Sequence, residues 1–444
     1  MSTKYNNNNN NNNLLGLLGF NPDIHSFKTE TIAGLTTFLT MAYILAVNPA
    51  IFSALSSQGM DNAAVFTATG LAAIVGTLIM AVYAKMPFAL APGMGLNAFF
   101  VYTVCIQMGY TWQFALTAIL LEGILFVIFT ITNIRNLIVN AIPASLKYAI
   151  GVGIGLYIAF IGLKNGGVIV SNEATTVTLG DITHGAGLLS IIGMIVTAFL
   201  VIKNVAGGML LGILITTIIG IPMGLTQFDG FISAPPSIEP IAFQFEWEKI
   251  LSIDMIIAVS TFLFIDMFDT IGTIIGVSTK AGMIRPDGTI PGLRKAFMAD
   301  AFATICGACF GTNTTTTYIE SATGISQGGR TGLTALTVAI CFAFALLFSP
   351  IFLAIPASAT APVLFIVGLF MISPIAQIPL DDYSESIPAF VTIIMMPLCY
   401  SISDGILLGF ITYVTLNLFD RKNHKITWPM IILAILFASK FIFI

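Results

Sequence analysis

Charge is what this sequence has least of. Lys, Arg, Asp and Glu make up 9% of the 444 residues, against about 25% in an ordinary soluble domain. Hydrophobic residues reach 57%, more apolar surface than a soluble protein of this size hides from water. A water-soluble domain is excluded, and so is the basic surface that binds nucleic acid. The chain is expected to be solvated by lipid along most of its length. Histidine is also scarce, and His25, His184 and His424 all fall outside the apolar runs. No catalytic triad, metal cluster or phosphate loop can be assembled, so no enzyme and no cofactor is expected. The five cysteines lie in or beside apolar stretches. Cys306 and Cys309 form a CxxC, but with no second pair or histidine beside it they read as helix-packing residues.

What the chain has in abundance is apolar stretches of about 20 residues, the length of helix that crosses a bilayer core. They recur from Thr31–Phe52 to Ile402–Phe419. The run Asn6–Asn13 has no apolar core and reads as a disordered tail rather than a signal peptide. Trp428–Ile444 is a further apolar stretch, either a short extra span or a helix lying in the interface.

Two segments break the pattern. Pro87–Met108 carries APGMGLNAFF (Ala91–Phe100), and Gly311–Gly329 reads GTNTTTTYIESATGISQGG. Non-helical backbone at membrane depth survives only where protein or a wet cavity surrounds it. Interrupted segments at matching positions of two halves point to a transporter's binding site. The halves do match: GLTTFL (Gly34–Leu39) with VSTFL (Val259–Leu263), AIVGTL (Ala73–Leu78) with ATICGAC (Ala303–Cys309), and VAGGMLLGILITTI (Val205–Ile218) with ISDGILLGFITYVTL (Ile402–Leu416). With a broken segment third in each set, seven spans per half follow. An odd number inserts the second half upside down. Domain limits then fall at 1–26 (disordered or cytoplasmic tail), 27–222 (first repeat), 223–252 (extracytoplasmic loop), 253–420 (second repeat) and 421–444 (basic linker and apolar end). Lys4, Lys28, Arg135, Lys147, Lys280, Arg285, Arg294, Lys295, Arg330, Arg421, Lys422 and Lys425 would share one face. That asymmetry places the N-terminus in the cytoplasm of a multi-pass cell-membrane protein. The acidic loop Asp381–Glu385 on the same face runs against it.

Ionisable side chains at membrane depth mark function by default. In FIDMFDT (Phe264–Thr270), Asp266 and Asp269 are three apart and share a helix face. Two carboxylates so placed repel, and at least one is expected to hold a proton. That is what proton coupling requires. Glu320, in the second broken segment, can accept two hydrogen bonds from adjacent N–H groups of a planar heterocycle, a pairing that discriminates strongly. Asn97, in the first, offers both a donor and an acceptor, and Gly93 and Gly95 let backbone approach a ligand. Each has a blander reading, as a helix cap or a partner for unwound backbone. Glu122 lies within an apolar span and could pair with a neighbouring helix. Asp300 reads as a helix-end or interdomain contact, Lys85 as a side chain reaching the headgroups, and Gly151, Gly153 and Gly155 as close helix packing.

TETIAGLTTFLTMAYILAVNP (Thr29–Pro49), APGMGLNAFF, FIDMFDTIGT (Phe264–Thr273) and TYIESATGISQGGRTG (Thr317–Gly332) resemble the AzgA-type hypoxanthine/guanine/adenine permeases, of the nucleobase–cation symporter-2 (nucleobase–ascorbate transporter) family. The likeness runs from Phe27 to Phe419. It implies an all-α polytopic fold of fourteen segments in two inverted seven-segment repeats. A core domain would take the first four segments of each repeat and a gate domain the last three. Short antiparallel strands in the third and tenth segments would flank the substrate. The family's eighth-segment acids fall on Asp266 and Asp269, its tenth-segment glutamate on Glu320 and its third-segment asparagine on Asn97. The implied activity is purine uptake with a proton, by elevator-like alternating access. Partners are a purine nucleobase, a proton, membrane lipid and, as in related families, a second copy of the chain. Sodium stays open as coupling ion. A uracil or xanthine permease is the nearest alternative, and an anion transporter of the same fold a more distant one.

Overall fold

The computed structural model describes residues 14–132, 143–228, 230–280 and 292–419, with Met283, Ile290, Ile426, Met430, Ile431, Ala434, Ile435 and Ala438. Lys4, Asn6–Asn13, Arg135, Arg285, Arg421–Lys425 and most of Trp428–Ile444 lie outside the described residues. Met430 and Ala434 are buried beside Leu146, Phe410 and Tyr413.

The first half opens with α1 (Leu14–Leu17) and α2 (Phe27–Met41), the latter capped by the Ser26 hydroxyl. After a break at Ala42–Tyr43, α3 (Ile44–Phe52) continues the span. Next come α4 (Asn62–Ile79), capped by Asp61, then strand β1 (Leu90–Pro92) and α5 (Met94–Ala98), which runs on as a π-helix over Phe99–Gln107. The half ends with α6 (Trp112–Thr132), α7 (Ala144–Asn165), a hairpin of β2 (Ile169–Asn172) and β3 (Thr176–Leu179), α8 (Gly185–Ile202) and α9 (Gly208–Gly220). The second half runs through α10 (Ile253–Lys280), α11 (Leu293–Phe310), strand β4 (Thr315–Thr317), α12 (Ser321–Ser326), α13 (Gly332–Ala345), α14 (Ser349–Leu353), α15 (Ala357–Ile372), α16 (Tyr383–Leu398) and α17 (Ile402–Phe419).

Eight helical stretches among the described residues are long and apolar enough to cross a membrane. Their helicity is what lipid demands, since every backbone group must find its partner inside the segment. Packing sorts the helices into two groups. In one, α2 and α4 pack on α13, α4 and α6 on α11, and α6 on α10, around the strands. In the other, α7 packs on α15, α16 and α17, and α8 on α9 and α15. Glycines allow the closest approaches. A Cβ on Gly155 would lie 2.7 Å from the Gly368 carbonyl, and one on Gly153 would lie 2.5 Å from Met396 Sδ. This is the close packing expected of Gly153 and Gly155, whereas a Cβ on Gly151 would meet nothing within 4 Å.

One expectation needs correction. Residues 14–26 are not a loose tail: Leu18 and Phe20 are buried against Ala81, Leu333 and Ala335. Lys85 is exposed at the end of its span, and its ammonium donates to the Gly16 carbonyl at 3.2 Å. The β2–β3 hairpin was not foreseen. Its four pairs, from Ile169↔Leu179 to Asn172↔Thr176, close on a turn at which the Asn172 side chain accepts two backbone N–H bonds.

Candidate functional site

The two interrupted segments meet. β1 and β4 pair antiparallel, with Leu90 opposite Thr317, Ala91 opposite Thr316 and Pro92 opposite Thr315. The Tyr318 N–H donates to Ala89 O and the Gly93 N–H to Thr314 O, extending the ladder at both ends. Each strand leads directly into a short helix, α5 after β1 and α12 after β4. Pro92, Gly93 and the threonine run keep the chain extended where a span would otherwise stay helical. The ladder joins two segments more than two hundred residues apart in the middle of the first helix group.

Glu320 follows β4 at the mouth of α12 and is half-buried. The Tyr43 hydroxyl, from the break between α2 and α3, donates to its Oε1 at 2.6 Å. Asn97, on α5, is fully buried. Its Oδ1 accepts from Asn313 Nδ2 at 3.0 Å, while its own amide nitrogen has no acceptor among the described residues. A buried donor left unmet costs about 1–3 kcal/mol, so this amide is poised for an acceptor. Asn48 donates to Thr69 at 2.5 Å and to Thr312 at 3.1 Å, fixing the approach to β4.

Asp266 and Asp269 turn to different neighbours. Asp266 is fully buried and accepts from the Thr270 hydroxyl at 3.0 Å. It lies against Glu122 of α6. The acids facing Asp269 are Asp300 and Glu320. The expectation that these two aspartates chiefly repel each other gives way to a wider set of five carboxyls. Asp300 is the largest surprise. It is no helix-end residue but sits well inside α11, fully buried, and accepts from the Thr317 N–H at 3.0 Å and from the Thr270 hydroxyl at 3.0 Å. Thr270 also meets Thr316 at 2.6 Å. That hydroxyl has one proton to give between two carboxylates.

At Gly95 a Cβ would meet Ile154 Cγ2 of α7 at 2.6 Å, so its bareness serves contact with the second helix group. Gly93 does serve the strands: its N–H and O both bond the β4 approach, and a Cβ would press on Thr316 at 3.0 Å. Tyr43, Asn48, Asn313 and Thr270 were missed from sequence. Only the density of TNTTTT (Thr312–Thr317) hinted at them.

The Xan_ur_permease family model, described as a permease family, matches residues 28–408. The guanine/hypoxanthine permease PbuG of Bacillus subtilis is 42% identical, with 94% of this chain and 97% of that protein covered. The adenine permease AdeP of Escherichia coli is 40% identical, with 94% and 93% covered. Among solved structures, the transmembrane domain of the cyanobacterial bicarbonate transporter BicA superposes with a TM-score of 0.65 at 14% identity, covering 87% of this chain and 98% of that one. At that identity the likeness speaks for the fold alone.

Proposed function

This chain belongs to the Xan_ur_permease family of permeases, and from that premise we propose that it takes up purine nucleobases in symport with protons. It is a multi-pass membrane transporter and not an enzyme. Hypoxanthine, guanine and adenine are the substrates in view, since they are the bases that PbuG and AdeP are named for.

The observation that carries the reading is the strand pair with its two unspent polar groups. Glu320, after β4, gives one oxygen to Tyr43, and Asn97, after β1, keeps an unmet amide. A purine presents adjacent N–H donors and ring acceptors on one edge, matching a carboxylate and an amide respectively. Asp266 and Asp269, close to the same ladder, take up and release the coupling proton. A base lacking the paired donors leaves the carboxylate unmatched, and that is the basis of selectivity.

In this reading the chain forms fourteen segments in two inverted repeats, with a cytoplasmic N-terminus. The strand-bearing helix group is the core, and the group around α7 and α15 is the gate. The core slides against the gate and presents the site to each side in turn. Proton loss to the less acidic cytoplasm weakens the site's hold and releases the base.

The test is uptake of radiolabelled hypoxanthine in cells stripped of their own purine permeases, with and without a protonophore, beside Glu320→Ala. Protonophore-sensitive uptake abolished by the substitution is the expected result. Wild-type protein that reaches the membrane yet takes up no purine refutes the substrate, and uracil or xanthine transport becomes the reading to pursue. Uptake that follows a sodium gradient instead refutes the coupling ion.

A further inference from the structure

We propose that Tyr102, Asn165 and the Tyr400 turn form a latch that holds the two helix groups together at their extracytoplasmic end and must open in every transport cycle. The inference goes beyond the transport reading above. It rests on that reading for the sliding of core against gate and for which end faces outward.

The turn Cys399–Ser401 joins α16 to α17. The Ser401 N–H donates to Met396 O at 3.0 Å and the Tyr400 N–H to Pro397 O at 3.4 Å, a common helix ending built around one left-handed residue. Glycine is the usual occupant of that place, because it has no Cβ to clash. Here the occupant is Tyr400, at φ 55°. A bulky residue keeps such a conformation only where its surroundings over-determine it. Helix α7 supplies them. The Tyr157 hydroxyl donates to the Tyr400 carbonyl at 3.2 Å. The Tyr157 and Phe160 rings stand edge-on to the Tyr400 ring at 5.6 and 5.8 Å. Lys164 Nζ lies 4.6 Å from the ring centroid, a cation–π contact.

Those contacts all lie within the second helix group. Tyr400 also meets the first. Tyr102, on the π-helical stretch after α5, stands edge-on to Tyr400 at 5.6 Å. Its hydroxyl accepts from Asn165 Nδ2, at the end of α7, at 2.7 Å. Gln107, at the end of the same stretch, donates to Cys399 O at 3.4 Å, and the stretch packs on α17. Further back along both helices the groups meet through Gly95 and Ile154, an apolar contact. Apolar attraction has no preferred direction, so it survives sliding. A hydrogen bond weakens steeply once its distance and angle are lost. The core can therefore pass over Ile154, but it moves only after giving up Asn165, Cys399 and the face of Tyr400. The strained tyrosine is kept because its ring, which glycine would lack, joins the two groups.

With Cys105, Cys306, Cys309 and Cys341 replaced by alanine and Cys399 kept, Gln107→Cys provides one thiol from each group. A short, reducible bis-methanethiosulfonate should link them, stop hypoxanthine uptake and release it again on reduction. Thiols that do not link, or uptake that continues in the linked protein, overturn the latch. A second measurement needs no substrate. Ile154 is 3% exposed, so Ile154→Cys, with all five native cysteines replaced by alanine, reports on the space behind the latch. A membrane-impermeant maleimide added from outside should label it about three- to tenfold faster when Tyr102→Phe removes the hydroxyl, the factor expected of one neutral hydrogen bond. Inside-out vesicles should show no such rise. An unchanged rate from outside, or an equal rise from both sides, overturns the proposal. Should Tyr102→Phe not fold, Asn165→Ala carries the same test. Labelling that behaves as expected, in a protein whose wild type moves no purine, would sink the substrate reading and leave the latch standing.

Discussion

Replacing Tyr43 by phenylalanine removes one oxygen and leaves the ring to fill its place. Tyr43 is 1% exposed, so the ring stays packed and no cavity opens. What is lost is the bond to Glu320 Oε1, whose 2.6 Å length falls within the about 2.5–2.7 Å expected when a hydroxyl donates to an ionised carboxylate. Such bonds contribute about 1.5–3 kcal/mol, and every 1.4 kcal/mol or so is a factor of ten in affinity. If Glu320 is the purine-binding carboxylate and Tyr43 orients it, KM for hypoxanthine should rise about tenfold or more in Tyr43→Phe. The maximal rate should change less. The assay is initial uptake against substrate concentration, normalised to protein at the cell surface. A double-mutant cycle sharpens the argument. With Glu320→Gln already present, Tyr43→Phe should add less than about threefold, because the charge it served is gone. An unchanged KM in the single variant would refute the reasoning, and so would full additivity in the double.

Asp300→Ala strips the acceptor from the Thr317 N–H, at about 1–3 kcal/mol for a buried group left unmet, while the Thr270 hydroxyl keeps Asp266. The detergent-solubilised protein should melt at a lower temperature, with Asp300→Asn milder because it keeps an acceptor oxygen. Gly368→Ala would set a Cβ 2.4 Å from the Gly155 carbonyl, and since backbone cannot swing aside the cost should be about 1–3 kcal/mol, seen in the same melt. Gly95→Ala should slow transport by pressing on Ile154 Cγ2, and Ile154→Ala in the same chain should restore the rate. At the end of the hairpin, the Thr183 hydroxyl and amide hold Asp181 down to about 2. A depressed carboxyl stabilises above its unfolded value, about 3.9, and that stabilisation disappears as pH falls through the folded one. Thr183→Val should therefore bring loosening of residues 181–184 up toward pH ~4, read as earlier amide exchange.

Much of this was legible because lipid is an unforgiving solvent. A chain with 9% charged residues has few places to put an acid, so Asp266, Asp269, Glu122 and Glu320 stand out against their surroundings. The broken segments stand out likewise, since Pro92, Gly93 and six residues of TNTTTT do not belong in a lipid-facing helix. The partners were not legible. Tyr43 sits in AYILAV, where an aromatic reads as core, and its bond to Glu320 spans 277 positions. Asp300 was misplaced because Arg294 and Lys295, a few residues before it, read as the mouth of a span. Among its partners is a backbone N–H of β4, which no side-chain pattern announces. The helix contact of Gly95 was not legible for a related reason: bareness in a sequence does not say what comes close on the Cβ side. Here Ile154 fills the space.

The strands also explain how two kinds of polar residue come to share one site. A pair of three-residue strands bonds along its inner edge and leaves two outer edges, which buried backbone does not tolerate. Both are closed by side chains from the preceding helices. On β1, the Thr77 hydroxyl from α4 accepts from Leu90 N at 2.9 Å and lies 3.1 Å from Leu90 O. On β4, Asp300 from α11 takes the Thr317 N–H, and Thr304 reaches Thr315 O at 3.3 Å. Gly76 and Gly307, at matching places in AIVGTL and ATICGAC, each lie against Thr315. Thr77, Thr304 and Asp300 are thus spent on backbone, whereas Glu320 and the Asn97 amide are not needed by it. Substitutions in the first set should therefore lower stability before affinity. Substitutions at Glu320 and Asn97 that keep the oxygens bonded to Tyr43 and Asn313, Glu320→Gln and Asn97→Asp, should lower affinity more than stability. A variant of Asn97 that melts early with KM intact would place that amide among the backbone partners and take it out of the binding site.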